Sequence, residues 1–198
     1  MSKGEQTRAM ILERTAQLFS CKGYFGSSLS DIMEATGLEK GGIYNHFTSK
    51  EQLALEAFDY AFEMVQQRIR LALTGKKHAI ERLIAYTTVF QQLADVALLS
   101  GGCPVLNTAI EADDAHVGLR DRARNAMNIW RTSIHHIVAK GIERQEIRPD
   151  IDIEAFTTVF IATLEGAVML SKLYEDATHM HRAIEHLTWY IDTMLQIP

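Results

Sequence analysis

The chain has 198 residues, 47% of them hydrophobic and 23% charged, a globular balance with enough length to bury a real core. Three prolines, plentiful Ala, Leu, Ile, Glu and Met, and the lack of any useful alternating run predict an all-α fold. Two cysteines exclude a disulfide scaffold, and a net charge of −5 excludes a broad basic field. The opening MSKGEQTR has no apolar core of a leader, and no apolar stretch reaches membrane-spanning length without interruption. A soluble, cytoplasmic protein without a membrane partner is therefore expected. GxSxG, P-loop, GxGxxG and HExxH patterns are all missing, so no catalytic residue, cofactor or metal site is expected. The eight histidines do not change this, because His135 and His136 diverge as neighbours and His179, His181 and His186 share no clean face.

The first helix is predicted over residues 6–22, with Ile11, Leu12, Thr15, Ala16, Leu18 and Phe19 as its apolar stripe and Lys22-Gly23 as its ending. Cys21 is expected buried on this helix and Cys103 in a loop, both as reduced thiols. After the loop Tyr24–Ser27, Ser28 and Asp31 have capping-box spacing, and Leu29, Ile32, Met33 and Thr36 recur at helical intervals. Gly37 then stands where a left-handed residue ends a helix, and a second helix is predicted over Leu38–Phe47, with Leu38, Ile43 and Phe47 inward. Helix, glycine turn, helix is the DNA-reading pattern. On the outer side, Lys40 offers charge to a phosphate, Tyr44, Asn45 and His46 offer hydrogen-bonding tips, and Gly41 and Gly42 add no bulk, which lets a phosphate backbone come close. Residues 1–50 carry a net charge of +1 and the remainder −6, a modest asymmetry that suits a DNA-facing head on an acidic body. Contact would rest on Lys3, Arg8, Lys40 and Lys50 and fade with salt.

The run LEKGGIYNHFTSKEQL, through Gly37, Leu38, Lys40, Gly41, Ile43, Tyr44, His46, Phe47, Ser49, Lys50, Glu51 and Leu53, resembles the signature of TetR-family (tetracycline-repressor-like) transcriptional regulators. The resemblance covers about a quarter of the chain. It departs from the family at Gly42, where Thr or Ser is commoner, and Glu39 places an acid near the backbone-facing start. It implies a three-helix head (residues 1–48), a helical effector-binding and dimerisation domain (residues 49–198), a palindromic double-stranded operator and a small-molecule effector. It also implies a phosphate contact near Ser28.

Ser49 and Gln52 have the spacing of a second capping box, opening a long helix to about Leu73 with Leu53, Ala57, Tyr60, Ala61, Met64 and Val65 inward. That helix starts so soon after the reading helix that any tilt would drag the reader with it. Further helices are predicted over Ala79–Leu99 (Leu83, Tyr86, Val89, Phe90 and Leu93 inward), from Pro104 to Glu111, and over Val117–Arg144 (Leu119, Ala123, Met127, Trp130, Ile134, Ile137 and Val138 inward). The last two are Ile153–Leu173, capped by Asp152, and about His179–Ile197, with Ile184, Leu187, Tyr190, Ile191, Met194 and Leu195 inward. Between Ala155 and Ser171 the only charge is Glu165, so that helix needs cover on more than one side. Two such helices can pair with their copies across a twofold axis, making a homodimer through a four-helix bundle, as the resemblance also implies.

For a regulatory pocket, Phe62, Tyr86, Phe90, Met127, Trp130, Ile134 and Glu165 are the candidates, as aromatic, methionine and isolated polar residues in an apolar bundle. Plain core packing is the competing reading of each. A thiol-sensor role for Cys103 is weighed against a capped corner, and the corner is preferred. The expectation is a homodimeric repressor. Its rivals are an activator and a ligand-binding or adaptor protein with an unused head.

Overall fold

The computed structural model describes residues 2–95 and 101–195, and among them the chain is 79% helical without a strand. The elements are α1 (Lys3–Lys22), α2 (Leu29–Thr36), α3 (Lys40–Tyr44), α4 (Lys50–Leu73), α5 (Ala79–Asp95), α6 (Pro104–Ala112), α7 (Val117–Glu143), α8 (Ile153–Tyr174) and α9 (Thr178–Tyr190), then a π-helical turn (Ile191–Leu195). The all-α expectation is met.

Local chemistry sets most boundaries. Ser2 and Glu5 form a reciprocal capping box, so α1 starts at Lys3 and not at residue 6. Ser28 and Asp31 do the same for α2, and Gly37, at φ +69°, ends it in the left-handed region. Ser49 Oγ accepts from the Gln52 N–H at 3.0 Å, while the Gln52 side chain turns back to Thr48. Pro104 occupies the first turn of α6, and Asp152 caps α8 by accepting from the Ala155 N–H at 3.0 Å. Two helices end against backbone preference, with Gln145 and Glu175 left-handed at φ 59° and 53°.

Three expectations are corrected, and the capped corner preferred for Cys103 is found. The reading helix stops at Tyr44, because the His46 N–H bonds the Ile43 carbonyl at 3.0 Å and tightens the last turn. Asn45 and His46 therefore follow the helix. The final helix gives way to the π-helical turn after Tyr190, and the parts predicted at residues 96–99 and 196–197 lie outside the described residues. Cys21 is exposed, because the buried phase of α1 runs through Ile11, Thr15, Ala16 and Ser20. Cys103 is buried at the N-cap of α6.

By contact the chain forms two units, Met1–Met64 with Leu99–Ala126, and Val65–Leu98 with Met127–Pro198; α4 and α7 contribute to both. In the first, Ile11, Ile32, Ile43, Phe47 and Leu53 form the core that fixes α1, α2 and α3 together, with Leu29, Met33 and Leu38 packed against it. Ala16, Ala57 and Ala61 continue it between α1 and α4. Small residues there let two helix backbones approach closely.

In the second unit α8 packs on α9, and both pack on α5. Tyr86, Phe90, Trp130 and Ile134 are buried, and the Phe90 and Trp130 rings meet edge to face at 5.4 Å. The Trp130 Nε1–H donates to Gln66 Oε1 at 2.9 Å. Gly141 permits a close approach: a β-carbon there would lie 2.7 Å from both Ala79 Cβ and Ile147 Cδ1. α8 has the length and composition of a membrane span, which the sequence reading did not anticipate, yet its Phe156, Phe160, Leu164 and Val168 are buried. Its other side leaves Val159, Met169, Leu173 and Tyr174 exposed, and Trp189 of α9 is exposed as well.

Candidate nucleic-acid interface

Because Ile43 and Phe47 face the head core, the remaining side chains of α3 and the turn after it point away from it. Lys40, Gly41 and Asn45 are exposed, and Gly42, Tyr44 and His46 half-exposed. The Lys40 ammonium lies 5.9 Å from the centre of the Tyr44 ring, so charge and phenol stand together.

The glycines of α3 have no internal purpose. A β-carbon at Gly41 would meet nothing within 4 Å, and one at Gly42 would touch only Leu38, at an ordinary 3.5 Å. Two residues that each weaken a helix by about 0.5–1 kcal/mol relative to alanine are kept where the chain's own packing does not ask for them. Gly37 differs, since its positive φ does demand glycine.

The head's other cations divide into two groups. The side chains of Lys3, Arg14 and Lys40 are exposed and enter no hydrogen bond or ion pair among the described residues. Arg8 is engaged, paired with Glu56 and lying 4.7 Å over the Phe47 ring. Lys22 pairs with Asp31 at 2.6 Å. Lys50 donates to the Tyr24 carbonyl at 2.9 Å and sits 4.3 Å over the Tyr24 ring. Desolvation lowers the Lys50 pKa, against the opposing pull of Glu111 and Asp31. Ser28 is committed to capping, as its Oγ both receives the Asp31 N–H and donates to Asp31 Oδ2. The Lys22 hydrogen bond, then those of Ser28, hold the Asp31 carboxyl well below the usual carboxylate range.

A second feature of this unit was invisible in the sequence. The loop between α1 and α2 is held by Glu111 of α6, whose Oε2 accepts from the Tyr24 N–H at 3.0 Å and Oε1 from the Phe25 N–H at 2.8 Å. Gly23 makes room for that carboxylate; a β-carbon there would lie 2.5 Å from Oε1. His116 meets the Tyr24 ring edge to face at 5.1 Å. Asn107 Nδ2 donates to the Gly101 carbonyl at 2.7 Å, and Gly101 lies so close to α1 that a β-carbon would overlap the Ser20 carbonyl at 1.6 Å.

The candidate pocket residues fall in both units. Tyr86, Phe90, Trp130, Ile134 and Glu165 are buried in the second unit, where Met127 is half-buried. Phe62 stacks on Phe58 in the first unit, with ring centres 6.3 Å apart. Among the described residues of the second unit, one cavity lies along α8 and α9 beside Phe156, Val159, His186 and Tyr190, and another at the start of α5.

Comparison with known proteins gives the same picture. Residues 11–57 match the family model described as bacterial regulatory proteins, tetR family, and residues 79–187 match the tetracyclin repressor-like C-terminal domain. A TetR transcriptional regulator from Chloroflexus aurantiacus superposes with a TM-score of 0.96 at 49% identity over 100% of both chains. A TetR-family regulator from Cytophaga hutchinsonii gives 0.89 at 36% identity, covering 100% of this chain and 98% of that one. The HTH-type transcriptional regulator LmrA of Bacillus subtilis is 28% identical over 183 residues, 90% of this chain and 92% of its own.

Proposed function

The chain belongs to the tetR family of bacterial regulatory proteins and is a DNA-binding transcriptional regulator, and on that premise we propose that it is a homodimeric repressor released from a palindromic operator by a small-molecule effector. Residues 1–48 form the reading head and residues 49–198 the effector-binding and dimerisation domain. Lys40, Gly41, Gly42, Tyr44, Asn45 and His46 meet the duplex, with Ser28 and Lys50 at its phosphate margin. The observation that carries this reading is the glycine pair of α3, open to solvent and unexplained by the chain's own packing. Close approach of a phosphate backbone supplies the missing reason.

The dimer uses the unpaired apolar side of α8 and α9, where Val159, Leu173 and Trp189 are each more than half exposed. A twofold pair of heads then reads half-sites about one helical turn apart or somewhat more. An effector that prefers a body conformation with the heads wrongly spaced weakens operator binding by its differential affinity for that state. α4 begins at Lys50, six residues after α3 ends, and passes displacement to the reader. Tyr86, Phe90, Met127, Trp130, Ile134 and Glu165 are the proposed effector contacts in the second unit, and Phe62 is the one proposed in the first.

Fluorescence anisotropy on the DNA flanking the protein's own coding region tests this. Binding should saturate at two chains per site and weaken linearly in log salt. Tyr44→Ala should lose roughly tenfold or more in operator affinity while remaining dimeric. Equal affinity of that variant would remove Tyr44 from the interface, and a monomer at micromolar concentration would remove the α8–α9 dimer.

A further inference from the structure

The turn between α4 and α5 and the C-terminal end of α7 border a half-open hollow of about 510 Å³. Lys76, Lys77, Arg82, Lys140 and Arg144 line it, together with His136. The single carboxylate in that lining is Glu146, and its Oε2 is occupied by the Ala79 N–H at 2.7 Å. Five cations therefore converge in a chain whose net charge is −5. Like charges gathered around one hollow repel unless an anion joins them, and low-dielectric walls focus the field they produce.

The arrangement is built, not a chance meeting of mobile side chains. Arg82 Nη1 donates to the Lys76 carbonyl and Arg144 Nη1 to the Lys77 carbonyl, both at 3.1 Å. Each guanidinium spends one of its five N–H groups on the turn and keeps the others. The turn is thereby fixed from two helices, and the Lys76 and Lys77 ammonium groups, exposed and without hydrogen-bond or ion-pair partners among the described residues, are presented from it. Lys140 is shared with Glu143 at 2.6 Å. The close approach at Gly141 brings α7 against the start of α5, and so the two walls together.

A second hollow of about 500 Å³ adjoins the first through Arg82 and His136. Its other lining residues are neutral: Asn128, Ile129, Thr132 and Ser133. Together they form a trough that is cationic at one end, and hydrogen-bonding with one aliphatic side chain at the other.

We propose that this trough is a binding site for a small phosphate-bearing ligand, its multiply charged phosphate held by Lys76, Lys77, Arg82 and Arg144 and its neutral body lying along Asn128, Thr132 and Ser133. Multiple negative charge is required because four cations face the same hollow, and planar guanidinium groups match phosphate oxygens in pairs. No residue of the trough belongs to the reading head or to the proposed effector contacts, although Tyr86 among the latter shares a hydrogen bond with Ser133 at the neutral end.

Titration calorimetry of the full chain with inorganic pyrophosphate tests the charged end, and a nucleoside diphosphate tests the neutral extension. The wild type should bind one pyrophosphate per chain, more weakly as salt rises. Lys76→Ala/Lys77→Ala should bind about tenfold more weakly, two exposed charge contacts at roughly threefold each. Those side chains bond nothing in the fold, so the variant should keep the wild-type melting temperature. Glu146→Gln keeps an oxygen for the Ala79 N–H while removing the opposing charge, and should bind a fewfold more tightly. Arg14→Ala, an exposed cation outside the trough, should leave pyrophosphate binding unchanged. The diphosphate should bind more tightly than pyrophosphate, and Asn128→Ala/Thr132→Ala, at two exposed lining positions, should erase that difference. The proposal fails if the wild type shows no saturable binding at low salt, if the double lysine variant binds equally well, or if Arg14→Ala is the variant that loses binding. Displacement of pyrophosphate by duplex DNA of unrelated sequence, abolished by Lys76→Ala/Lys77→Ala, would also overturn it, by identifying a nucleic-acid backbone as the occupant.

Discussion

Replacing Glu111 by alanine removes the one carboxylate that fastens the α1–α2 loop. Two charge-assisted hydrogen bonds disappear, to the Tyr24 N–H at 3.0 Å and the Phe25 N–H at 2.8 Å. Bonds to charged groups contribute about 1.5–3 kcal/mol each when well shielded. Here Phe25 is exposed and Tyr24 half-buried, so water recovers part of the loss and about 1 kcal/mol per bond is the better figure. Lys50, drawn toward its charged form by Glu111, loses that support as well. The expected destabilisation is about 2 kcal/mol, or about 4–8 °C in melting temperature for a chain of this size. Glu111→Gln should be no better, since its amide nitrogen would confront one of the two N–H donors. Urea unfolding gives the global loss, and hydrogen exchange at the Tyr24 and Phe25 amides gives the local one. If Glu111→Gln restores full stability, or if exchange at those two amides is unchanged in Glu111→Ala, the clamp does not hold the loop.

Gly101→Ala places a β-carbon 1.6 Å from the Ser20 carbonyl, and backbone must move, so a loss of about 3 kcal/mol or more in thermal or urea unfolding is expected. Gly4→Ala, in α1 with nothing within 4 Å, is the control and should instead stabilise by up to about 1 kcal/mol. Gly41→Ala should stabilise the free protein by about 0.5–1 kcal/mol yet weaken operator binding in the anisotropy assay; unchanged affinity would mean that close approach does not occur there. Asp31 supplies the pH dependence of the head. Its folded pKa is depressed, so its stabilisation is fully present above the unfolded value of 3.8 and is lost as pH falls below that. Asp31→Asn should flatten the acid limb of melting temperature between pH 5 and about 2, and an unaltered limb would show that the Lys22 and Ser28 contacts do not persist in solution.

What the sequence determined by itself is what a few neighbouring residues settle among themselves. Ser28 with Asp31, Ser49 with Gln52 and Asp152 with Ala155 are contacts across three positions, and a left-handed Gly37 is a property of one residue. The head core followed from the same helical phase, since Ile32, Ile43 and Phe47 can be placed inward without knowing what they meet. The reading helix was read too long because two glycines and a tightened turn compete with continuation, and the burial of Phe47 decides between them. The tertiary structure alone decided the contacts that join distant segments. Glu111 reaches the loop amides across 86 and 87 positions, Arg144 reaches the Lys77 carbonyl across 67, and Gly23, Gly101 and Gly141 are glycine because another segment passes where a side chain would be. Such contacts depend on how helices are rotated and spaced against one another. That rotation comes from the packing of many side chains at once, and no local pattern carries it.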